Sequence, residues 1–179
     1  FFIGNSIPVR AVDMLGSGKG AEIPAALNRS ASGIDGLIAS ACGYSSGLQR
    51  PVSLLIGDLS AIHDLNSFKL LADSPEPVFV VLLNNHGGGI FSFLPVAKQT
   101  DIFETFFGTP HSNDFLSVAE MFGLNYFRPD SISAFVKDYR QAVIENKSAV
   151  IEIFTERDKN SQQLEALAQK LMKCAFESS

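Results

Sequence analysis

The sequence has few cysteines and no concentration of positive charge, and each shortage excludes a class of protein. Cys42 and Cys174 are the only cysteines, and they lie too far apart for a zinc motif or the disulfide framework of a small secreted domain. A reducing compartment is the expected environment. Fourteen Lys and Arg residues oppose nineteen Asp and Glu residues, and no basic run occurs. Nucleic acid is not an expected partner, because it requires a basic surface.

Long hydrophobic runs and the commonest nucleotide motifs are also absent. The longest apolar run, Val78 to Leu83, is far shorter than the roughly 18 residues of a membrane span, so none is expected. Lys19 is not followed by the Ser or Thr that a P-loop requires, and no G-x-G-x-x-G fingerprint occurs. The G-x-S-x-G pattern at 43–47 ends a predicted helix, whereas a nucleophile elbow follows a strand. We interpret it as a glycine-rich helix terminus.

The length and composition predict one globular domain. The chain has 179 residues, of which 46% are hydrophobic and 18% are charged, which is enough for a single buried core. The first residue is Phe1 rather than Met, and the chain opens in an apolar run. We therefore expect residues 1–179 to be a single domain of a longer protein, with upstream domains absent.

Short apolar runs alternate with stretches of helical period, which is typical of successive βα units. The predicted strands are 1–4, 23–27, 52–56, 78–83, 125–127 and 149–154. The predicted helices are 8–15, 33–47, 60–72, 115–122, 131–145 and 158–175. Residues 84–113 show no sustained period, which predicts a long functional loop. The fold class is α/β: a doubly wound, mostly parallel six-stranded sheet with helices on both faces, and ligands at the carboxyl ends of its strands.

Two oxygen-bearing side chains follow successive predicted strands. Asp58 follows one buried strand and Asn85 follows the next, with residues 59–84 between them. In a parallel sheet, neighbouring strands of this kind bring their carboxyl ends to one edge. A carboxylate, an amide oxygen and a carbonyl from the following glycine turn are ligands that suit Mg²⁺, which takes its remaining ligands from phosphates and water. The amino end of the helix predicted from Ser60 favours an anion, so we predict a diphosphate site.

Four segments carry a resemblance to a known family. They read GNS at 4–6, NRSASGIDG at 28–36, GDLS at 57–60 with DLN at 64–66, and NNHGG at 84–88 with IFS at 90–92. Together they resemble the 2-succinyl-5-enolpyruvyl-6-hydroxy-3-cyclohexene-1-carboxylate (SEPHCHC) synthases, which are thiamine diphosphate-dependent transferases. The resemblance runs from about residue 3 to the last predicted strand. It corresponds only to the C-terminal, diphosphate-binding domain of those enzymes.

The resemblance implies a set of ligands. It assigns Mg²⁺, or Mn²⁺, to the side chains of Asp58 and Asn85 and to the carbonyl of Gly87. Arg10 and Arg29 match the basic residues for substrate carboxylates, a role that suits the bidentate guanidinium group. The residues implied in thiamine diphosphate binding are Ser6, Ser32, Ile34, Gly57, Ser60, Ile90 and Phe91. Ser30, His86 and Gly89 depart from the family pattern, and we interpret His86 as a polar loop residue.

The implied reaction is decarboxylation of 2-oxoglutarate and addition of the succinyl unit to isochorismate, in menaquinone or phylloquinone biosynthesis. Its expected partners are these two small molecules and an N-terminal pyrimidine-binding domain, supplied by a second subunit of a homo-oligomer. That domain would contribute the activating glutamate, so the fragment alone is expected to be inactive. Five phenylalanines beside the proposed site are expected to be covered by it: Phe91, Phe93, Phe103, Phe106 and Phe107. Bacterial cytoplasm or plant plastid is the expected location.

Other interpretations remain open at this point. Asp58 alone could be a helix N-cap, Asn84 and Asn85 could be turn residues, and Arg10 and Arg29 could be surface cations. Another thiamine-dependent decarboxylase or carboligase is the rival enzyme, although Leu59 stands where such enzymes usually have glycine. A noncatalytic α/β binding module is the rival outside enzymes.

Overall fold

The computed structural model of the chain describes residues 1–16, 23–28 and 33–177, with side chains described through residue 170 and at residue 172. The chain divides into two compact units. Unit 1 comprises Phe1–Asn84 and Asn113–Phe154, and unit 2 comprises Asn85–Ser112 and Thr155–Ser179. No helix among the described residues combines the length and apolarity that a membrane span requires.

Unit 1 contains a six-stranded sheet in which every pairing is parallel. Its strands are β1 (Phe2–Ile3), β2 (Ala26–Leu27), β3 (Val52–Gly57), β4 (Val78–Asn84), β5 (Asn125–Phe127) and β6 (Ala149–Phe154). Their order across the sheet is β2-β1-β3-β4-β6-β5. The order reverses between β1 and β3, as it does in doubly wound sheets. The predicted number of strands and their parallel arrangement are confirmed.

The helices lie between these strands along the chain, except for the last helix, which follows β6. Unit 1 holds α1 (Ile7–Leu15), α2 (Leu37–Leu48), α3 (Asp58–His63), α4 (Phe68–Asp73), α6 (Leu116–Met121) and α7 (Ile132–Glu145). Unit 2 holds α5 (Thr100–Phe103) and α8 (Arg157–Glu177). The helix α7 begins where the sequence predicts, because the Ser131 hydroxyl caps it by accepting the Ala134 N–H at 3.2 Å.

The two faces of the sheet have separate hydrophobic cores. Alternate residues of β3 and β4, such as Leu54 and Val80, pack with α2, α4 and α6 on one face, where Phe68 and Phe115 stack at 5.9 Å. The intervening residues of β4 and β6, such as Phe79, pack with α7 on the other face. This alternation follows from the two-residue period of a strand. Helices therefore cover both faces, as predicted.

The predicted helix 33–47 begins too early. The structure starts α2 at Leu37, because Gly36 adopts a left-handed conformation with φ of +67° that ends the preceding turn. The G-x-S-x-G pattern lies within α2, where the buried Ser45 hydroxyl donates to the Arg50 carbonyl at 2.7 Å. Its interpretation as part of a helix end agrees with this contact.

The predicted single helix 60–72 is wrong. It is divided into α3, a 3-10 turn at Leu65–Ser67, and α4. The interruption lies at Asp64, whose carboxylate accepts the Ser67 hydroxyl at 2.5 Å and the Ile38 N–H of α2 at 2.7 Å. A side chain that bonds to the backbone of another element competes with the local helical pattern.

Three smaller differences concern the strands and the long loop. The predicted strand 23–27 is reduced to two residues, Ala26–Leu27, and Pro24, which has no N–H to donate to a neighbouring strand, lies before it. The strand predicted at 1–4 is likewise shorter, at Phe2–Ile3. Residues 84–113 are not an irregular loop throughout. They contain short 3-10 and π turns at Gly89–Phe93, Pro95–Lys98 and Glu104–Gly108, in addition to α5.

Candidate functional site

The carboxyl ends of three neighbouring strands define the candidate site in unit 1. Strand β1 pairs with β3, and the Gly4 N–H donates to the Leu55 carbonyl at 2.7 Å just beyond the end of β1. Strand β3 pairs with β4 up to Gly57 and Leu83. The predicted neighbourhood of the strands that precede Asp58 and Asn85 is therefore confirmed. Ser6 and Asp58 follow β1 and β3 at one edge of the sheet.

Asp58 is buried, with 3% of its surface exposed, and it is the first residue of α3. Gly57 occupies the N-cap position instead, which contradicts the interpretation of Asp58 as a side-chain N-cap. One carboxylate oxygen of Asp58 accepts the Leu59 N–H at 2.7 Å. Ser60 follows in the same turn and is also buried. A Cβ atom added to Gly57 would meet no atom of the described residues within 4 Å, so among these residues open space lies beside this turn.

The turn after β1 holds Ser6 in a conformation that is rare for a residue with a side chain. Its φ is 72° and its ψ is −129°, and such outliers concentrate at ligand-binding sites. The exposed Arg10 donates one N–H to the Ser6 carbonyl at 2.9 Å. A guanidinium group has five N–H donors, so this contact leaves capacity for a carboxylate.

Asn5 is a polar residue of this turn whose role was not predicted from the sequence. It is 8% exposed, and its Nδ2 donates to the Gly33 carbonyl at 2.7 Å. This bond ties the end of β1 to the turn that carries Ile34, which is half-buried and precedes α2. The Oδ1 atom of Asn5 is buried and accepts no hydrogen bond from the described residues. Arg29 and Ser32 lie outside the described residues.

The remaining predicted ligands belong to unit 2, which begins at Asn85. Gly87 has a φ of +149°, a value that favours glycine, and an added Cβ there would overlap the Gly108 carbonyl oxygen. The Gly88 N–H donates to the same Gly108 oxygen at 2.7 Å. Asn85 is half-buried, and Ile90 and Phe91 lie in the 3-10 turn that follows the glycines. Close backbone packing thus determines the shape of this turn.

Aromatic side chains support the glycine turn within unit 2. Phe107 contacts Phe91 edge to face at 5.7 Å and stacks on Phe103 at 6.3 Å. Phe103 is buried, whereas Phe93 and Phe106 are 38% and 70% exposed. The expectation that all five phenylalanines await a covering domain is therefore wrong for Phe103, which is buried within the chain itself.

An ion pair lies beside these glycines. Arg157 donates to both carboxylate oxygens of Glu104 at 2.7 Å. Its other terminal nitrogen lies 3.2 Å from where a Cβ of Gly87 would be and 2.7 Å from where a Cβ of Gly108 would be. His86 lies in the same turn and contacts the His111 ring edge to face at 5.7 Å.

A buried carboxylate in β6 was not predicted from the sequence. Glu152 is 0% exposed and accepts hydrogen bonds from the Asn84 side chain, the Phe115 backbone and the Tyr126 hydroxyl. Burial and the hydrogen bond to Glu152 raise the pKa of Tyr126. The available signal was a single acidic residue within a strand, Ala149–Phe154, that is otherwise apolar on both sides.

The donor set of the candidate site is mixed rather than a cluster of acids. No group of three or more His, Cys, Asp or Glu side chains comes together in the part of the chain that the structure describes. The ligands that the sequence predicts are instead one carboxylate in unit 1, and one amide and one backbone carbonyl in unit 2. Such hard oxygen donors suit Mg²⁺, which requires few protein ligands when phosphates and water complete its shell.

Comparison with known proteins identifies the family. Residues 20–153 match the model of the family described as "Thiamine pyrophosphate enzyme, C-terminal TPP binding domain". The chain is 48% identical over 160 residues to a SEPHCHC synthase of Prosthecochloris aestuarii, which covers 89% of this chain and 28% of that enzyme. It is 49% identical over 156 residues to the SEPHCHC synthase of Rubrobacter xylanophilus, which covers 87% of this chain and 27% of that enzyme.

A solved structure agrees with these similarities. The thiamine diphosphate-dependent 4-hydroxybenzoylformate decarboxylase of Rhodococcus jostii superposes with a TM-score of 0.56 at 26% identity, covering 65% of this chain and 22% of that one. The chain thus spans less than a third of the length of the curated relatives it matches. The predicted resemblance to the SEPHCHC synthases is confirmed, and the chain belongs to the family of C-terminal thiamine pyrophosphate-binding domains of thiamine pyrophosphate enzymes.

Proposed function

We propose that this chain is the Mg²⁺- and diphosphate-binding domain of a SEPHCHC synthase. The reaction is decarboxylation of 2-oxoglutarate with addition of the succinyl unit to isochorismate, in menaquinone or phylloquinone biosynthesis. The observation that carries the proposal is the parallel pairing of β3 with β4, since Asp58 follows one of these strands and Asn85 follows the other. The identity of 48% over 160 residues to a named SEPHCHC synthase supports this choice of reaction.

The residues fit the proposed cofactor. Asp58, Asn85 and the Gly87 carbonyl would hold Mg²⁺, and their oxygen atoms are the ligands that this ion prefers. The open space beside Gly57 is where a diphosphate could approach the backbone. Thiamine diphosphate, when bound, supplies the nucleophilic carbon that permits loss of carbon dioxide from a 2-oxo acid and transfer of the remaining acyl unit. The residues proposed to bind it are Ser6, Ser32, Ile34, Gly57, Ser60, Ile90 and Phe91.

The substrates are proposed to meet Arg10 and Arg29. Both substrates carry several carboxylates, and guanidinium groups bind carboxylates through paired hydrogen bonds. The bond from Arg10 to the Ser6 carbonyl holds the guanidinium near the turn that follows β1. The activating glutamate and the pyrimidine-binding domain would come from the rest of the enzyme, within a homo-oligomer.

The test is removal of the one charged metal ligand. Asp58→Asn, made in the complete gene product, keeps the side chain's volume and an oxygen that can accept the Leu59 N–H. We expect the affinity for Mg²⁺ with thiamine diphosphate to fall at least about tenfold, because a hard divalent ion loses its charged ligand. Calorimetric titration measures the change. Asp73→Asn, at a carboxylate that is 57% exposed and paired with Lys69, is the matched control. Equal affinity in Asp58→Asn and the parent would refute the metal assignment.

A second candidate is another thiamine diphosphate-dependent decarboxylase, favoured by the structural similarity to 4-hydroxybenzoylformate decarboxylase. The two candidates differ in the acid that is decarboxylated and in the acceptor. Carbon dioxide release from 2-oxoglutarate that accelerates with isochorismate supports the first. Release from an aromatic 2-oxo acid, with no effect of isochorismate, supports the second.

A further inference from the structure

The Glu152 carboxylate lies fully inside unit 1. Its Oε1 accepts from Asn84 Nδ2 at 2.6 Å, and its Oε2 accepts from the Phe115 N–H at 3.0 Å and the Tyr126 hydroxyl at 2.6 Å. None of the ion pairs in the described part of the chain includes Glu152. Burying a carboxylate is costly, so a residue at this position requires the donors that surround it. All three donors are neutral groups.

Two of these donors, Asn84 and the Phe115 N–H, flank the two ends of one segment, residues 85–112. Asn84 is the last residue of β4 and is 0% exposed, and residues 85–112 follow it. The chain re-enters unit 1 at Asn113, whose carbonyl accepts the second N–H of Asn84 Nδ2 at 2.9 Å. The Phe115 N–H lies two residues further along and is held by Glu152 itself. A single carboxylate thus holds the exit and the return of the segment that begins with Asn85.

We propose that Glu152 is a positioning residue for this segment: through Asn84 it determines where the chain leaves β4 and where it returns. Asn85 is bonded directly to Asn84, so a shift of the Asn84 backbone is transmitted to Asn85 within one residue. The consequence for Mg²⁺ rests on the proposed function, since it requires Asn85 and Gly87 to be the metal ligands. The hydrogen bonds by which Glu152 holds Asn84 and Phe115 do not depend on that metal assignment.

Both carboxylate oxygens of Glu152 act as acceptors, Oε1 for Asn84 and Oε2 for Phe115 and Tyr126. Both N–H groups of Asn84 Nδ2 are committed, one to Glu152 and one to Asn113. Glutamine at position 152 would keep the shape but offer only one oxygen. If that oxygen stays on Phe115 and Tyr126, its NH₂ group faces the NH₂ group of Asn84, and two donors cannot bond to each other. The bond that holds Asn84 is then lost.

The first experiment measures hydrogen exchange in the cofactor-free, complete gene product. Glu152→Gln should accelerate exchange at least about tenfold in peptides that cover the ends of residues 85–112, because a charge-assisted hydrogen bond is lost there. Asp64→Asn is the matched control, since Asp64 is also buried and accepts a backbone N–H and a hydroxyl, at Ile38 and Ser67. It should leave those peptides unchanged. Unchanged exchange in Glu152→Gln, or equal acceleration in both variants, would overturn the proposal.

A second variant keeps the test decisive if Glu152→Gln does not fold. Asn84→Ala removes both donors while Glu152 and Asn85 remain, and it should accelerate exchange in the same peptides. Asn125→Ala, which removes an exposed hydrogen bond to Glu145, is its control and should not. Glu152→Gln and Asn84→Ala should also each weaken Mg²⁺ binding with thiamine diphosphate by about tenfold. A parent that binds no Mg²⁺ would refute the proposed function alone, whereas normal exchange in Asn84→Ala would refute the positioning role alone.

Discussion

Two glycine-to-alanine substitutions should change local stability in opposite directions. Gly88 lies in the turn of unit 2 and donates its N–H to the Gly108 carbonyl at 2.7 Å. A Cβ atom there would overlap the Phe107 carbonyl oxygen and lie 3.0 Å from a ring carbon of Phe91. Gly43 lies on the exposed side of α2, and a Cβ there would meet no atom within 4 Å in the described part of the chain.

The expected magnitudes follow from these contacts. Gly88 has a φ of −80°, which alanine adopts, so its cost is steric rather than conformational. The overlap is with backbone, which cannot rotate away, and such overpacking costs roughly 1–3 kcal/mol. Displacing the turn also weakens the bond to Gly108, which adds about 0.5–1.5 kcal/mol. Gly43→Ala should instead stabilise α2 by about 0.5–1 kcal/mol, because alanine loses less backbone entropy in a helix.

Hydrogen exchange with mass spectrometry measures both effects in one preparation. Gly88→Ala should accelerate exchange in peptides from residues 85–112 by roughly thirtyfold, which corresponds to about 2 kcal/mol of local stability. Gly43→Ala should slow exchange in peptides from Leu37–Leu48 and leave residues 85–112 unchanged. Exchange in Gly88→Ala at the rate of the parent would show that close backbone packing does not determine the shape of this turn.

Two further predictions concern a buried thiol and an exposed cation. Burial, with a smaller contribution from Asp64, raises the pKa of Cys42 to about 11 from 9.0. Between pH 9 and 11 the unfolded chain loses the thiol proton and the folded chain keeps it. The free energy of unfolding should therefore fall by about 1.4 kcal/mol per pH unit relative to Cys42→Ser, as denaturation between pH 8 and 11 would show. The same pH dependence of stability in both proteins would contradict this. Arg10→Ala should lower kcat/KM for the acidic substrates about tenfold in steady-state kinetics. Arg50→Ala, at an exposed residue before β3, is the control and should not lower it. Equal losses of kcat/KM in the two variants would count against a carboxylate-binding role for Arg10.

Local sequence was sufficient wherever one element's own residues determined its limits. The apolar run of β4 and the Ser131 cap of α7 are examples, and both elements were predicted within one residue. Asp58 and Asn85 were predictable as strand-end residues for a related reason. Successive βα units make parallel neighbours, so the sequence order of two strands already indicated which carboxyl ends would meet.

Prediction failed where a contact from elsewhere in the chain changed the local outcome. The helix expected over 60–72 is divided because the Asp64 carboxylate bonds to the Ile38 N–H, and no feature of 60–72 alone reveals that partner. The segment 85–112 is a similar case. Its glycine turn is held by the bond from Gly88 to Gly108, which joins residues with no shared periodicity.

Glu152 shows why the supporting part of a site is harder to read than its ligands. An acid within an otherwise apolar strand signals that buried donors exist, but only the fold shows that they are Asn84, Phe115 and Tyr126. Mg²⁺ ligands must supply hard oxygen atoms, whatever the fold, so only a few residue types can serve as ligands. A positioning residue must only match its neighbours in shape and hydrogen bonding. Its identity therefore follows from tertiary packing, and a structure with side chains is needed to find it.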